Sequence, residues 1–234
     1  MTLGIDLTGR VAIVTGAAGG IGEGIARRLA AAGAVLALVD RDEAGLARLG
    51  GLGLAVGVDL VDEDSVSEAV ARIASELGGP HVLVNNAAVA ATTLGMPFTR
   101  QSTADWERVM RVNCVGTFAM SKAVALRMLD QGGGVIVNIA SVSGRTGMQT
   151  DPAYSASKAA TINFTQVMAK DLAPMVRVNA IAPGMVLTPF YEAQHAAVAA
   201  HDERVAAMTP EQVSKFESVF RSAAKKSQIV ICQS

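Results

Sequence analysis

Val11-Ala12-Ile13-Val14-Thr15-Gly16-Ala17-Ala18-Gly19-Gly20-Ile21-Gly22 is the stretch that decides the fold. Its first four residues read as a buried strand. The glycines that follow allow a tight turn, and the run from about Ile21 to Ala32 reads as a helix, with Gly33 as its stop. In that order the turn lets a pyrophosphate approach the main chain, and the helix N-terminus meets its charge. The spacing is Gly-x-x-x-Gly-x-Gly rather than the Gly-x-Gly-x-x-Gly of the common dinucleotide fingerprint. A glycine turn alone is weak evidence. Its place between a strand and a helix is the context the motif requires.

Outward from this stretch the same alternation repeats. Val35–Val39, Leu54–Val58, Val82–Val84, Val135–Ile139 and Val176–Ala180 read as further strands. Helices are expected over Asp42–Leu49, Asp62–Leu77, Thr103–Leu129 and Pro152–Leu172, and Gln228–Ile231 reads as a seventh strand. Strands apolar on both faces and separated by helices indicate a parallel sheet covered on both sides. The fold class expected is therefore α/β, a Rossmann-like doubly wound parallel sheet of about seven strands. With no linker and no internal repeat, residues 1–234 read as one domain.

Composition excludes several function classes. Half of the residues are hydrophobic and 18% are charged, which argues against disorder. A formal net charge of −1 with no basic block gives no support for a nucleic-acid or anionic-membrane surface. Aromatics, at 4%, are too few for a base-stacking platform. The longest uncharged stretch, Val82 to Thr99, is too polar to span a bilayer, and Met1–Asp6 carries no secretory pattern. Cys114 and Cys232 are far apart, which reads as two free thiols in a reducing compartment, so a cytoplasmic location is expected. The spacing of His81, His195 and His201 suits no metal site.

Two features suggest chemistry. Asp40 ends the second strand, where a carboxylate can accept both ribose hydroxyls of an adenosine and repel a 2′-phosphate. It can equally cap the next helix, and Arg41 beside it is a group that can bind such a phosphate. With no basic residue in the glycine loop, the balance favours NAD over NADP. The second feature is Tyr154-Ser155-Ala156-Ser157-Lys158. Positions i and i+4 share a helix face, so the phenol and the ammonium can point at one place. A tyrosine of pKa about 10 is a poor base at neutral pH, and a nearby positive charge is expected to lower it. Taken alone, such pairs occur on many solvated helices.

With this pair downstream of the glycine loop, the chain resembles the short-chain dehydrogenase/reductase family over nearly its whole length. Gly16, Gly20, Ile21 and Gly22 match that family's cofactor loop, and Asp59-Leu60 resembles the pair that contacts adenine. Asn85-Asn86-Ala87-Ala88 is similar to its Asn-Asn-Ala-Gly segment, with Ala88 in place of the glycine. Pro183-Gly184-Met185-Val186-Leu187-Thr188 resembles the segment that holds the nicotinamide carboxamide. Asn113, Ser141, Tyr154 and Lys158 fall where the family places its catalytic residues.

The resemblance implies an NAD-dependent oxidoreductase that interconverts a secondary alcohol and a ketone. In it Tyr154 exchanges the proton, Ser141 orients the substrate oxygen, Lys158 binds the nicotinamide ribose and lowers the tyrosine pKa, and Asn113 helps to hold a water in a proton relay. It also implies a substrate lid at about 188–208 and a homotetramer, with a dimer as the alternative. The tail at about 225–234, ending Cys232-Gln233-Ser234, departs from the family's usual Asp-Gly-Gly-like ending. Two rivals stand beside this reading: an NADP-linked carbonyl reductase, motivated by Arg41, and a nucleotide-binding regulatory protein of weak turnover. The substrate itself is not legible beyond a small to medium alcohol, ketone or diol.

Overall fold

The structure is a computed structural model that describes residues 4–92, 98–146, 151–184, 186–189 and 230–232. The expected lid lies outside these residues apart from Thr188 and Pro189, as does the tail apart from 230–232.

Strand β1 (Val11–Thr15) is buried along its whole length, as its unbroken apolar run requires. It lies between β2 (Val35–Asp40) and β4 (Pro80–Asn85), with β3 (Leu54–Gly57) outside β2. Beyond β4 come β5 (Gly134–Ile139), β6 (Val176–Ala182) and β7 (Val230–Cys232), giving the order β3-β2-β1-β4-β5-β6-β7. The first six strands are parallel, as expected. The seventh departs from a wholly parallel sheet and pairs antiparallel to β6. An apolar run signals a strand but carries no direction, and an antiparallel edge on a parallel sheet is a common arrangement.

The period-two alternation of β1 separates two cores. Val11 and Ile13 pack with Val66, Ile73, Met120, Val124 and Met128 on one face. Ala12 and Val14 pack with Ala26, Leu36, Leu38 and Leu46 on the other. The first face is covered by α3 (Glu63–Leu77) and α5 (Thr117–Asp130), the second by α1 (Gly20–Ala31) and α2 (Glu43–Arg48). Side chains cap several helices. Asp62 accepts from the Asp64 and Ser65 N–H groups at the head of α3, and Asp42 accepts from Gly45 N–H at the head of α2. Asp42 thus takes the capping role that was open to Asp40.

One helix differs from its sequence pattern. The run expected as a single α-helix over Thr103–Leu129 is α4 (Thr103–Met110), a π-helical segment (Arg111–Gly116) and then α5. Such segments insert one extra residue into a helix and often mark functional sites. The residue turned inward here is Asn113, 2% exposed. The remaining helices are the short α6 (Ser143–Thr146) and the long α7 (Pro152–Asp171).

Between β1 and β4 the direction of winding reverses, which leaves a crevice outside the carboxyl ends of the strands.

Candidate active site

A cleft of about 430 Å³ occupies this crevice. At one end lies the turn after β1. Gly16 adopts φ +66°, a left-handed conformation that disfavours a side chain, and a Cβ there would sit 2.8 Å from Ala87 Cα. A Cβ on Gly22 would run into the carbonyl oxygen of Gly16, so the helix packs down on its own turn. The turn is latched to β4 across the switch point. Asn86 Nδ2 donates to the carbonyls of Thr15 and Gly16 at 3.0 and 3.1 Å, and Thr15 Oγ1 accepts from the N–H groups of Asn86 and Ala87 at 3.0 and 3.1 Å. Thr15 opens the glycine stretch in the sequence, and its latching role comes from a hydroxyl placed at the last position of a buried strand.

Asp40 closes this end. Its carboxylate accepts from Ala18 N–H and Asp42 N–H, each at 3.0 Å, which fixes the charge beside the glycine turn. Arg41, Asp59 and Leu60 line the same region. From the opposite wall come Pro183, Gly184, Val186 and Thr188, with Thr188 so close to Gly20 that a Cβ there would lie 2.9 Å from its methyl carbon. Every residue expected to hold a cofactor lines this one cleft.

At the other end, Ser141 follows β5 while Tyr154 and Lys158 stand in the first turns of α7. The Ser141 hydroxyl hydrogen-bonds the phenol of Tyr154. It also lies 3.2 Å from the hydroxyl of Ser143, whose N–H donates to it at 3.2 Å. Ser143 lines the cleft and was not singled out by the sequence reading. Lys158 is 4% exposed, donates to the Ile139 carbonyl at 2.7 Å, and places its Nζ 5.5 Å from the centroid of the Tyr154 ring.

The charges correct one expectation. Burial pushes the Tyr154 phenol up to about 12; the Ser141 hydrogen bond opposes this, and the Asp151 carboxylate adds to it. Burial likewise holds Lys158 down to about 8. Loss of solvation dominates at the phenol, and the pair does not by itself produce the lowered tyrosine that its spacing suggested.

Asn113 is placed differently from the other three. It does not line the cleft, and its side-chain amide is taken up by the backbone of Val89 and the hydroxyl of Ser157. Its main-chain carbonyl accepts from Thr117 Oγ1 at 2.8 Å. Neighbouring Cys114 is half-buried in an apolar groove between α5 and α7, where burial raises its thiol pKa. No cluster of three or more His, Cys, Asp or Glu side chains able to hold a metal occurs among the described residues. No helix among them is long and apolar enough to cross a membrane.

A glycine cradle with no room for side chains, a fixed carboxylate and a buried lysine fit a nicotinamide dinucleotide. The class defined by this fold and cleft is a doubly wound α/β protein that binds its ligand at the strands' carboxyl ends. Within that class the chain belongs to the short-chain dehydrogenases, whose family description, "short chain dehydrogenase", matches residues 10–199. It is accordingly an oxidoreductase of alcohols and their carbonyl counterparts. The chain is 39% identical to a 3-oxoacyl-[acyl-carrier-protein] reductase of Aquifex aeolicus over 79% of its length and 77% of the relative's. It is 41% identical to the D-threitol dehydrogenase of Mycolicibacterium smegmatis, over 78% of this chain and 72% of that one. Among solved structures, NAD+-bound xylitol dehydrogenase superposes with a TM-score of 0.80 at 34% identity, covering 83% of this chain and 78% of that chain.

Proposed function

We propose that the protein transfers a hydride between NAD and a secondary alcohol or ketone, with Tyr154 as the general acid/base. The observation that carries this reading is the meeting of the Ser141 and Tyr154 hydroxyls at one point of the cleft, with buried Lys158 beside the ring.

Bound NAD supplies the acceptor or donor of the hydride. The chain's own residues handle the proton. In ketone reduction Tyr154 Oη gives its proton to the substrate oxygen, while Ser141 hydrogen-bonds that oxygen and fixes its position. A phenol raised to about 12 is already in the protonated form that this direction needs. In alcohol oxidation Tyr154 must first be the phenolate that takes the substrate's proton, and a protonated Lys158 beside the ring favours that deprotonated form. Lys158 also stands where an ammonium can hold the nicotinamide ribose. Asn113 acts through the backbone it holds rather than at the cleft surface.

Asp40 supports NAD over NADP, because its carboxylate sits where a 2′-phosphate would be repelled. Arg41 also lines the cleft, and it favours the second reading, an NADP-linked carbonyl reductase. We read the chain as one domain with a lid over the cleft, working in the cytoplasm. The outward face of the helices carries exposed Val115, Phe118, Leu126, Leu129 and Val167, which supports assembly into a tetramer or dimer.

The test is a panel of secondary alcohols and ketones assayed with each cofactor at the nicotinamide absorbance. Turnover with NAD, lost in Tyr154→Phe while NADH still binds, is the result expected. Full activity in that variant overturns the mechanism, and a clear preference for NADPH overturns the Asp40 argument.

A further inference from the structure

Three consecutive backbone positions after β4 are each held by a side chain from another element. Asn113 grips Val89 from both sides, accepting from its N–H at 2.8 Å and donating to its carbonyl at 2.9 Å. Arg108 donates to the Ala90 carbonyl at 2.6 Å and is itself anchored by Asp105 at 2.9 Å. Asp151 accepts the Ala91 N–H through Oδ2 at 2.8 Å.

The same side chains reach Tyr154. Asp151 Oδ1 accepts the Tyr154 N–H at 2.9 Å as the N-cap of α7. Asn113 donates to Ser157 Oγ at 2.9 Å, and Ser157 Oγ donates to the Tyr154 carbonyl at 2.7 Å. Both backbone groups of Tyr154 are thus tied to one loop, and Ala88 and Val89 of that loop line the cleft. The ring of bonds is closed by Asp151.

Capping alone does not explain Asp151. Serine or asparagine caps a helix about as well, and a buried carboxylate costs far more to desolvate. Yet Asp151 is 3% exposed. The groups that act on it are Asp105 and Arg108, together with the N–H groups of Tyr154 and Ala91, and burial raises its own pKa. What a charged cap has that serine lacks is a second oxygen for the loop and a field at the phenol.

We propose that Asp151 is a positioning residue of the reaction: its carboxylate ties the loop at Ala91 to the first turn of α7 and so holds the Tyr154 hydroxyl against Ser141. This rests on the reading of Tyr154 as the acid/base.

Asp151→Ser keeps a cap for Tyr154 N–H and removes both the Ala91 bond and the charge. It is compared with wild type in a Tyr191→Phe background, which leaves Tyr154 as the sole tyrosine of the two in the chain. A ~10- to 100-fold fall in kcat is expected, the scale of a small misplacement of a reacting group. The NADH Kd should stay within about twofold. Tyrosine ¹³Cζ resonances should show the phenol titrating at lower pH, because a negative neighbour has been removed. Unchanged kcat overturns the proposal, as does an unmoved titration, or a fall in kcat matched by lost NADH binding. If Asp151→Ser does not fold, Arg108→Met frees the Ala90 carbonyl with the cap intact. It should lower kcat several-fold at unchanged NADH affinity, and wild-type kcat there overturns the proposal. Full turnover in Tyr154→Phe instead defeats the acid/base reading. The resonance titration would still report whether Asp151 acts on the phenol.

Discussion

The two ends of the cleft are built over different ranges of the chain. The nucleotide end comes from one β-turn-α-β stretch, Gly16 to Asp40, latched by Asn86. Its requirements are mostly steric: a left-handed turn, close backbone approach and one carboxylate. The proposed catalytic end draws Ser141, Tyr154 and Lys158 from after β5 and from α7, and a half-buried loop after β4 braces it. Its requirements are electrical as well as steric, since burial moves both titrating groups from their ordinary values. Changes at the first end should alter which cofactor binds, whereas changes at the second should alter how fast the proton moves.

The largest expected effect is at the catalytic end. Ser141→Ala removes the hydroxyl that meets Tyr154 and should lower kcat roughly 10²–10³-fold, the scale for losing one oriented donor. NADH titration should show binding unchanged; a matching loss of affinity would collapse the distinction between the ends. The pH dependence comes next. Oxidation needs the deprotonated tyrosine, and with the phenol near 12 in the free protein that form grows with pH across the neutral range. The kcat/KM for alcohol oxidation should therefore climb about tenfold per pH unit from about pH 6 to 7, below the range in which Lys158 loses its proton. A plateau beginning near neutrality would show that the phenol titrates far lower than its burial implies.

At the nucleotide end, Asp40→Ala should shift the NAD-to-NADP preference by about tenfold, consistent with one removed charge repulsion of ~1–2 kcal/mol. Its effect on kcat with saturating NAD should be small. Last, Lys122→Ala breaks the exposed 2.8 Å pair with Glu63, which belongs to neither end. Thermal unfolding should change by less than ~0.5 kcal/mol, and kinetics not at all.

The same contrast explains what was legible in the sequence. The glycine turn, Asp40 and the strand alternation are written in contiguous residues whose spacing sets their geometry, so they could be read directly. Tyr154 and Lys158 were legible as a pair for the same reason. Their proton affinities were not, because burial depends on what the rest of the fold packs around them. Arg108 and Ser143 carried no local signal, and Asp151 only that of a helix cap before Pro152. Asp151 reads as an ordinary cap until Ala91, far upstream, is found against its other oxygen. The burial of Asn113 was not legible for a similar reason: a helix pattern does not show which side chain an irregular turn will carry inward. The direction of β7 was likewise absent from its apolar run.

The π-helical segment at Arg111–Gly116 has a consequence for chain length. One residue in an α-helix is worth about 100° of rotation, and the wider π-turn takes up that angle for the extra residue it holds. Were the same residues wound as plain α-helix, α5 would be turned by about that angle relative to α4. Met120, Val124 and Met128, now fully buried, would swing away from the sheet, and exposed Phe118 would turn from its outward position. Deleting one residue within the segment removes the extra residue and keeps α5 in phase, so it should be tolerated better than a one-residue deletion inside α5, at the cost of the inward placement of Asn113. The segment acts as a phase setting for everything downstream on its helix.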